Sequence, residues 1–132
     1  MASSLSSADD PVLQYILVRR DLIQACAACQ DLHWPIGSVV AQGAHAAVAA
    51  IAESYNDEYT SRYLADLGQM RKVVLQVDND RHLQEFASTL RSRDVRHHVW
   101  MERPENIATC LCTAPYPQSM IRPLFAGLRL LR

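Results

Sequence analysis

Lysine is almost absent from this chain: Lys72 stands alone beside twelve arginines. Fourteen acidic residues bring the formal net charge to −1. That balance excludes a protein that coats nucleic acid non-specifically, because such binding rests on many cationic contacts to phosphate. A local basic patch stays open, and arginine is the side chain suited to planar, bidentate phosphate contacts. Glycine is scarce as well, four in 132 residues, and no glycine-rich phosphate loop is formed. Long apolar runs are missing. The longest, Val39 to Ala52, is interrupted by Gln42 and His45 and falls short of the ~20 residues that span a bilayer. No membrane segment is therefore expected. Residues 1–10 are Ser-rich and acidic with no apolar core, unlike a secretory signal. A reducing, cytoplasmic location is expected, with Cys26, Cys29, Cys110 and Cys112 as free thiols.

Apolar residues make up 49% of the chain, as in a globular domain, and the length allows one core without metal or disulfide support. Residues 1–11 read as a tail ending at Pro11, and residues 12–132 as one domain. Apolar runs predict strands at Val12 to Val18, Arg71 to Val77, Val95 to Met101 and Ile107 to Thr113. Helices are predicted from Trp34-Pro35 to about Ser54, since proline favours a first turn, from Asp57 to Leu67, and from Asp80 to Arg91, where Leu83, Phe86, Ala87 and Leu90 fall at helical spacing. A last helix begins near Pro117 and is disturbed by Pro123. Glu102 to Asn106 reads as a loop. The order β-α-α-β-α-β-β-α is an α/β pattern, and continuous apolar strands call for helices on both sides of a four-stranded mixed sheet.

Chemistry concentrates on the first long helix. At about 100° per residue, Val40, Ala44, Ala47, Val48 and Ile51 gather on one face, and Ser38, Gln42 and His45 on roughly the opposite one. The spacings of four and three make the polar three neighbours. Surrounding glycine and alanine let a backbone or substrate approach, and histidine is the side chain best suited to proton transfer near neutral pH. The alternative is a core histidine bonded to a carbonyl. Cys26-Ala27-Ala28-Cys29 could join Cys110 and Cys112 in a four-thiolate zinc site only if the loop reaches the strand; no metal or cofactor is expected. His97-His98 reads as one ring in and one out rather than a metal site.

Several motifs in order resemble the type II peptidyl-tRNA hydrolase family. They are Arg19-x-Asp21-Leu22, Ala41-Gln42-x-x-His45-Ala46, Gly68-Gln69 with Lys72-Val73-Val74-Leu75, Leu111 through Pro115-Tyr116-Pro117, and Leu128-Arg129-Leu130-Leu131. They cover about residues 13–131. Trp34-Pro35 and Pro104-Glu105-Asn106-Ile107-Ala108-Thr109-Cys110 resemble the branch of peptidyl-tRNA hydrolase domain-containing proteins. The resemblance implies a three-layer α/β/α sandwich, a homodimer, and hydrolysis of the ester joining a peptide to the 3′ end of tRNA. Two departures stand out. The family's Gly-Lys-Gly-Lys is Pro35-Ile36-Gly37-Ser38 here, so both lysines are gone, including the one usually given a catalytic role. The family's Asp-Ala-Gly-Arg-Thr-Gln loop is shorter here and reads Glu102-Arg103-Pro104-Glu105-Asn106.

Ester hydrolysis needs an activated water and stabilisation of a developing oxyanion. The resemblance makes His45, Glu102 and Thr109 the catalytic candidates, with Glu102 in place of the family's Asp. Ser38, Gln42, Arg103 and Asn106 are expected around the substrate. Arg71, Lys72 and the pair Arg19-Arg20 are candidates for tRNA phosphates, or else solvated strand ends. The competing reading is a catalytically silent relative that binds RNA or a protein partner through the same groove. The missing lysines favour it; Gln42, His45 and the nearby carboxylate favour the enzyme.

Overall fold

The structure, a computed structural model, describes residues 10–23 and 33–132. Eight consecutive residues with β-forming side chains make β1 (Val12–Arg19), followed by a 3-10 turn at Arg20–Leu22. The chain continues through α1 (Ile36–Glu53), α2 (Glu58–Leu64), β2 (Lys72–Val77), α3 (Asp80–Ser92), β3 (His97–Glu102), β4 (Ile107–Thr113), β5 (Tyr116–Pro117) and α4 (Gln118–Ile121). Pro123 then tightens the last turn into a 3-10 segment, Arg122–Phe125. The mixed sheet has the order β2-β1-β4-β3. β1 runs parallel to β2 and antiparallel to β4, and β3 is antiparallel to β4. A fifth, two-residue strand was not expected from the sequence: Tyr116 and Pro117 pair with Leu13 and Val12.

Side-chain alternation along β1 separates two cores. Leu13, Tyr15 and Leu17 join Leu83, Ala87 and Leu90 of α3. Ile16 and Val18 join Val39, Ala46, Ala47 and Ala50 of α1. Helices thus pack on both faces of an α/β domain. After Phe125 the chain returns along the outer edge of β2. Gln76 donates its amide N–H to the Arg129 carbonyl at 2.9 Å, and Leu131 donates to the Val74 carbonyl at 3.0 Å. This covers a row of backbone groups that an open edge would leave unpaired.

The orientation of α1 corrects the sequence reading. Its buried face is Val39, Gln42, Gly43, Ala46, Ala47 and Ala50, whereas Val40 and Val48 are 67% and 69% exposed. Alanine, valine and isoleucine fall on every side of this helix, so hydrophobicity alone does not choose a face. Close packing does, because the smallest residues let the helix sit down on the sheet. A Cβ at Gly43 would lie 3.7 Å from Ile16 Cγ2. By length and composition α1 could also cross a bilayer; in this fold a third of it is buried against the sheet, while Ile36, Val40 and Val48 stay exposed.

Candidate functional site

The site lies where the strands β1 and β2 end, the side of an open α/β sheet at which ligands ordinarily bind. A register shift between Trp100 and Met101 sets it up. Trp100 pairs with Cys110, but Met101 already pairs with Ala108, so Thr109 is the extra residue of a β-bulge. Strict alternation would turn Thr109 away from Cys110. Instead both reach α1: the Thr109 hydroxyl donates to Gln42 Oε1 at 2.9 Å, and the Cys110 thiol donates to the Gln42 carbonyl at 3.2 Å. Glu102, expected in the following loop, is the last residue of β3.

Gln42 is 1% exposed and both ends of its amide are used. Nε2 donates to Glu102 Oε2 at 2.8 Å, opposite the bond from Thr109. The Trp100 indole N–H donates to the other oxygen, Glu102 Oε1, at 3.3 Å. The Gln42 bond first, then the Trp100 bond, hold the Glu102 carboxyl below the usual carboxylate range, and the nearby His45 adds to the effect. The Arg103 backbone N–H also bonds Glu102; a carboxylate offers roughly four acceptor positions, so about one remains for a water or a substrate hydroxyl. The His45 ring stacks on Trp100 with centroids 4.6 Å apart and an 18° tilt. Further along, His98 Nδ1 lies 2.7 Å from Glu53 Oε1. β3 presents His98, Trp100 and Glu102 on one face, and α1 meets them with Glu53, His45 and Gln42. Trp100 was missed in the sequence; its position two residues before Glu102 on one strand was the available signal.

The structure therefore brings together His45, Gln42, Glu102 and Thr109. Ser38 lies one turn before Gln42 and is exposed, as are Arg103 and Asn106. Asn106 lines a shallow cavity with Asp80 and Gln84 of α3, away from Gln42. Arg71 and Lys72 lie at the opposite end of the sheet, where Lys72 pairs in register with Gln14, roughly 20 Å from Glu102 at ~3.3 Å per strand residue. There Lys72 Nζ donates to the Tyr63 hydroxyl at 3.1 Å, and burial lowers its pKa. Arg19 is committed internally. It makes a two-pronged pair with Asp21, at 3.0 and 2.8 Å, and donates to the Ala108 carbonyl at 3.0 Å. This ties the end of β1 to the bulged start of β4. Cys110 and Cys112 are buried free thiols, and burial pushes the Cys110 thiol up to about 12. Cys26 and Cys29 lie outside the described residues. Among the described residues no group of side chains is arranged to hold a metal.

These features define an α/β domain with a fixed carboxylate and an exposed imidazole at the edge of its sheet. The family model for peptidyl-tRNA hydrolase PTH2 matches residues 12–131. A human protein named "Putative peptidyl-tRNA hydrolase PTRHD1" is 41% identical over 128 residues, 96% of this chain and 88% of its own length. The mouse protein of the same name is 40% identical over 121 residues, 92% of this chain and 83% of its own. The chain belongs to the peptidyl-tRNA hydrolase PTH2 family.

Proposed function

We propose that this protein hydrolyses the ester between the peptide and the 3′ end of tRNA. The observation that carries the reading is the Glu102 carboxylate, fixed by Gln42 and Trp100 beside the exposed His45. Water held against Glu102 loses its proton to His45 as it attacks the ester carbonyl. The same imidazole returns the proton to the departing ribose oxygen. The Glu102 charge stabilises the imidazolium between the two transfers. Gln42, bonded to both Glu102 and Thr109, orients the carboxylate; it is a positioning residue.

A specific observation supports a second reading, a silent relative that binds RNA without cleaving it. Positions 36 and 38 carry isoleucine and serine, and the single lysine lies at the far end of the sheet. Losing one preorganised electrostatic donor costs ~10²–10³ in rate. Cleavage of peptidyl-tRNA by the purified protein, measured beside binding of uncharged tRNA, separates the two. Turnover that falls ~10²-fold or more in His45→Ala and Glu102→Ala supports the hydrolase. Binding with no turnover in the wild type supports the silent relative. Turnover untouched by both substitutions contradicts the roles given to these residues.

A further inference from the structure

We infer that Trp100 is the positioning residue for His45: the Glu102 carboxylate orients the imidazole through an indole ring rather than by a hydrogen bond of its own. This deepens the hydrolase reading and rests on it for the role of His45. His45 is exposed on α1. Among the described residues, its imidazole has one ring partner and no hydrogen bond. That partner is Trp100, with centroids 4.6 Å apart and an 18° tilt. An exposed side chain without such a partner exchanges rotamers in picoseconds to nanoseconds. Proton transfer in hydrolysis needs the ring nitrogen held in one geometry, and a misplacement of about 1 Å can cost ~10²-fold in rate.

The other histidine on this seam shows the difference. His98 Nδ1 lies 2.7 Å from Glu53 Oε1, so a carboxylate orients that imidazole directly. At His45 the carboxylate acts one step removed. The Trp100 indole N–H donates to Glu102 Oε1 at 3.3 Å, and the indole face carries the His45 ring. Trp100 is itself held on several sides. Its backbone pairs with Cys110, the last regular pair before the bulge. Its ring packs against the core between α1 and the sheet. The His98 ring lies against it at 6.0 Å with a 43° tilt. An indole has two broad orientations about χ2, and the bond to Glu102 selects one. The same side chain therefore touches both members of the proposed catalytic pair, and a shift of Trp100 would move the imidazole and the carboxylate together.

Proton NMR of the His45 ring tests the orientation without requiring turnover. Protons stacked over an indole face are displaced upfield by its ring current, and His45→Ala assigns them. The wild type is expected to show the displacement and Trp100→Leu to lose it. Trp100→Phe keeps a ring face without the N–H and is expected to keep a smaller displacement. In peptidyl-tRNA turnover, Trp100→Leu is expected to lower kcat by ~10²-fold with KM little changed, and Trp100→Phe to recover part of the loss. In a His45→Ala background, Trp100→Leu should cost far less than it does in the wild type, because the two residues act as a unit. Absence of the displacement in the wild type, or its survival in Trp100→Leu, overturns the inference. So does an equal kcat loss in the His45→Ala background. If the leucine variant does not fold, the phenylalanine variant decides: complete loss of turnover with the displacement kept overturns the inference. If the displacement is lost in Trp100→Leu but the wild type cleaves nothing, the orientation of His45 by Trp100 stands and the hydrolase reading fails.

Discussion

The two faces of the sheet are built from different materials. The α3 face is filled by large apolar side chains, among them Leu17, Leu83, Leu90, Leu111 and Phe125. The α1 face is filled by alanines, Val39, Ile16 and two buried thiols, and it also contains the buried amides of Gln14 and Gln42 and the hydroxyl of Thr109. Gln14 Nε2 donates to the Thr113 and Ala47 carbonyls at 3.0 and 3.3 Å, fastening α1 to the sheet. A buried amide contributes little net stability but costs much when a partner is removed. One face thus supplies the free energy of folding, while the other gives up apolar burial to hold polar groups in fixed positions. The site is on the second face.

Breaking the apolar face should have the largest effect on stability. Leu83→Ala empties a fully buried position on α3 and is expected to cost ~2–5 kcal/mol, read by denaturant unfolding, with little change in the substrate affinity of the folded fraction. A comparable loss of binding in that variant would mean the faces are not separable. Gln42→Leu keeps the apolar volume but strands the Thr109 hydroxyl and one Glu102 oxygen. It is expected to cost ~1–3 kcal/mol and, unlike Leu83→Ala, to depress turnover.

The pH dependence sharpens the same division. Glu102 is held below the ordinary carboxylate range by Gln42 and Trp100. Its stabilising contribution is therefore present above the unfolded value of ~4.3 and is lost as pH falls through the lowered folded value. The difference in melting temperature between wild type and Glu102→Gln should shrink as acid is added and vanish at the lowest pH. A difference that grew instead would reverse the sign assigned to this carboxylate. The smallest effect is expected at Gly43. The Cβ of Gly43→Ala would meet Ile16 at ordinary contact distance, and removing a glycine from mid-helix should stabilise by ~0.5–1 kcal/mol. A loss of stability there would mean that α1 sits closer to the sheet than the Ile16 distances indicate.

The same division explains how far the sequence could be read. Leu13 through Val18 and Ile107 through Thr113 are apolar runs, and their strands follow from composition alone. Gln42 and His45 were recognisable because a helix repeats every three to four residues. The facing of α1 was not legible, because Val40 and Val48 are more hydrophobic than the alanines that displace them from the interface. Thr109 and Glu102 could not be placed from spacing, since the bulge that turns Thr109 toward Gln42 leaves no local signature. The pairing of the C-terminal segment with β2 is a contact between distant parts of the chain, and no local pattern announces it.

A double-mutant cycle in peptidyl-tRNA turnover between Gln42→Leu and Glu102→Ala tests the polar face most directly. If Gln42 acts by holding Glu102, each single variant loses activity and the double variant is no slower than Glu102→Ala alone. Losses that multiply in the double variant would contradict the account, because Gln42 would then act independently of the carboxylate it binds.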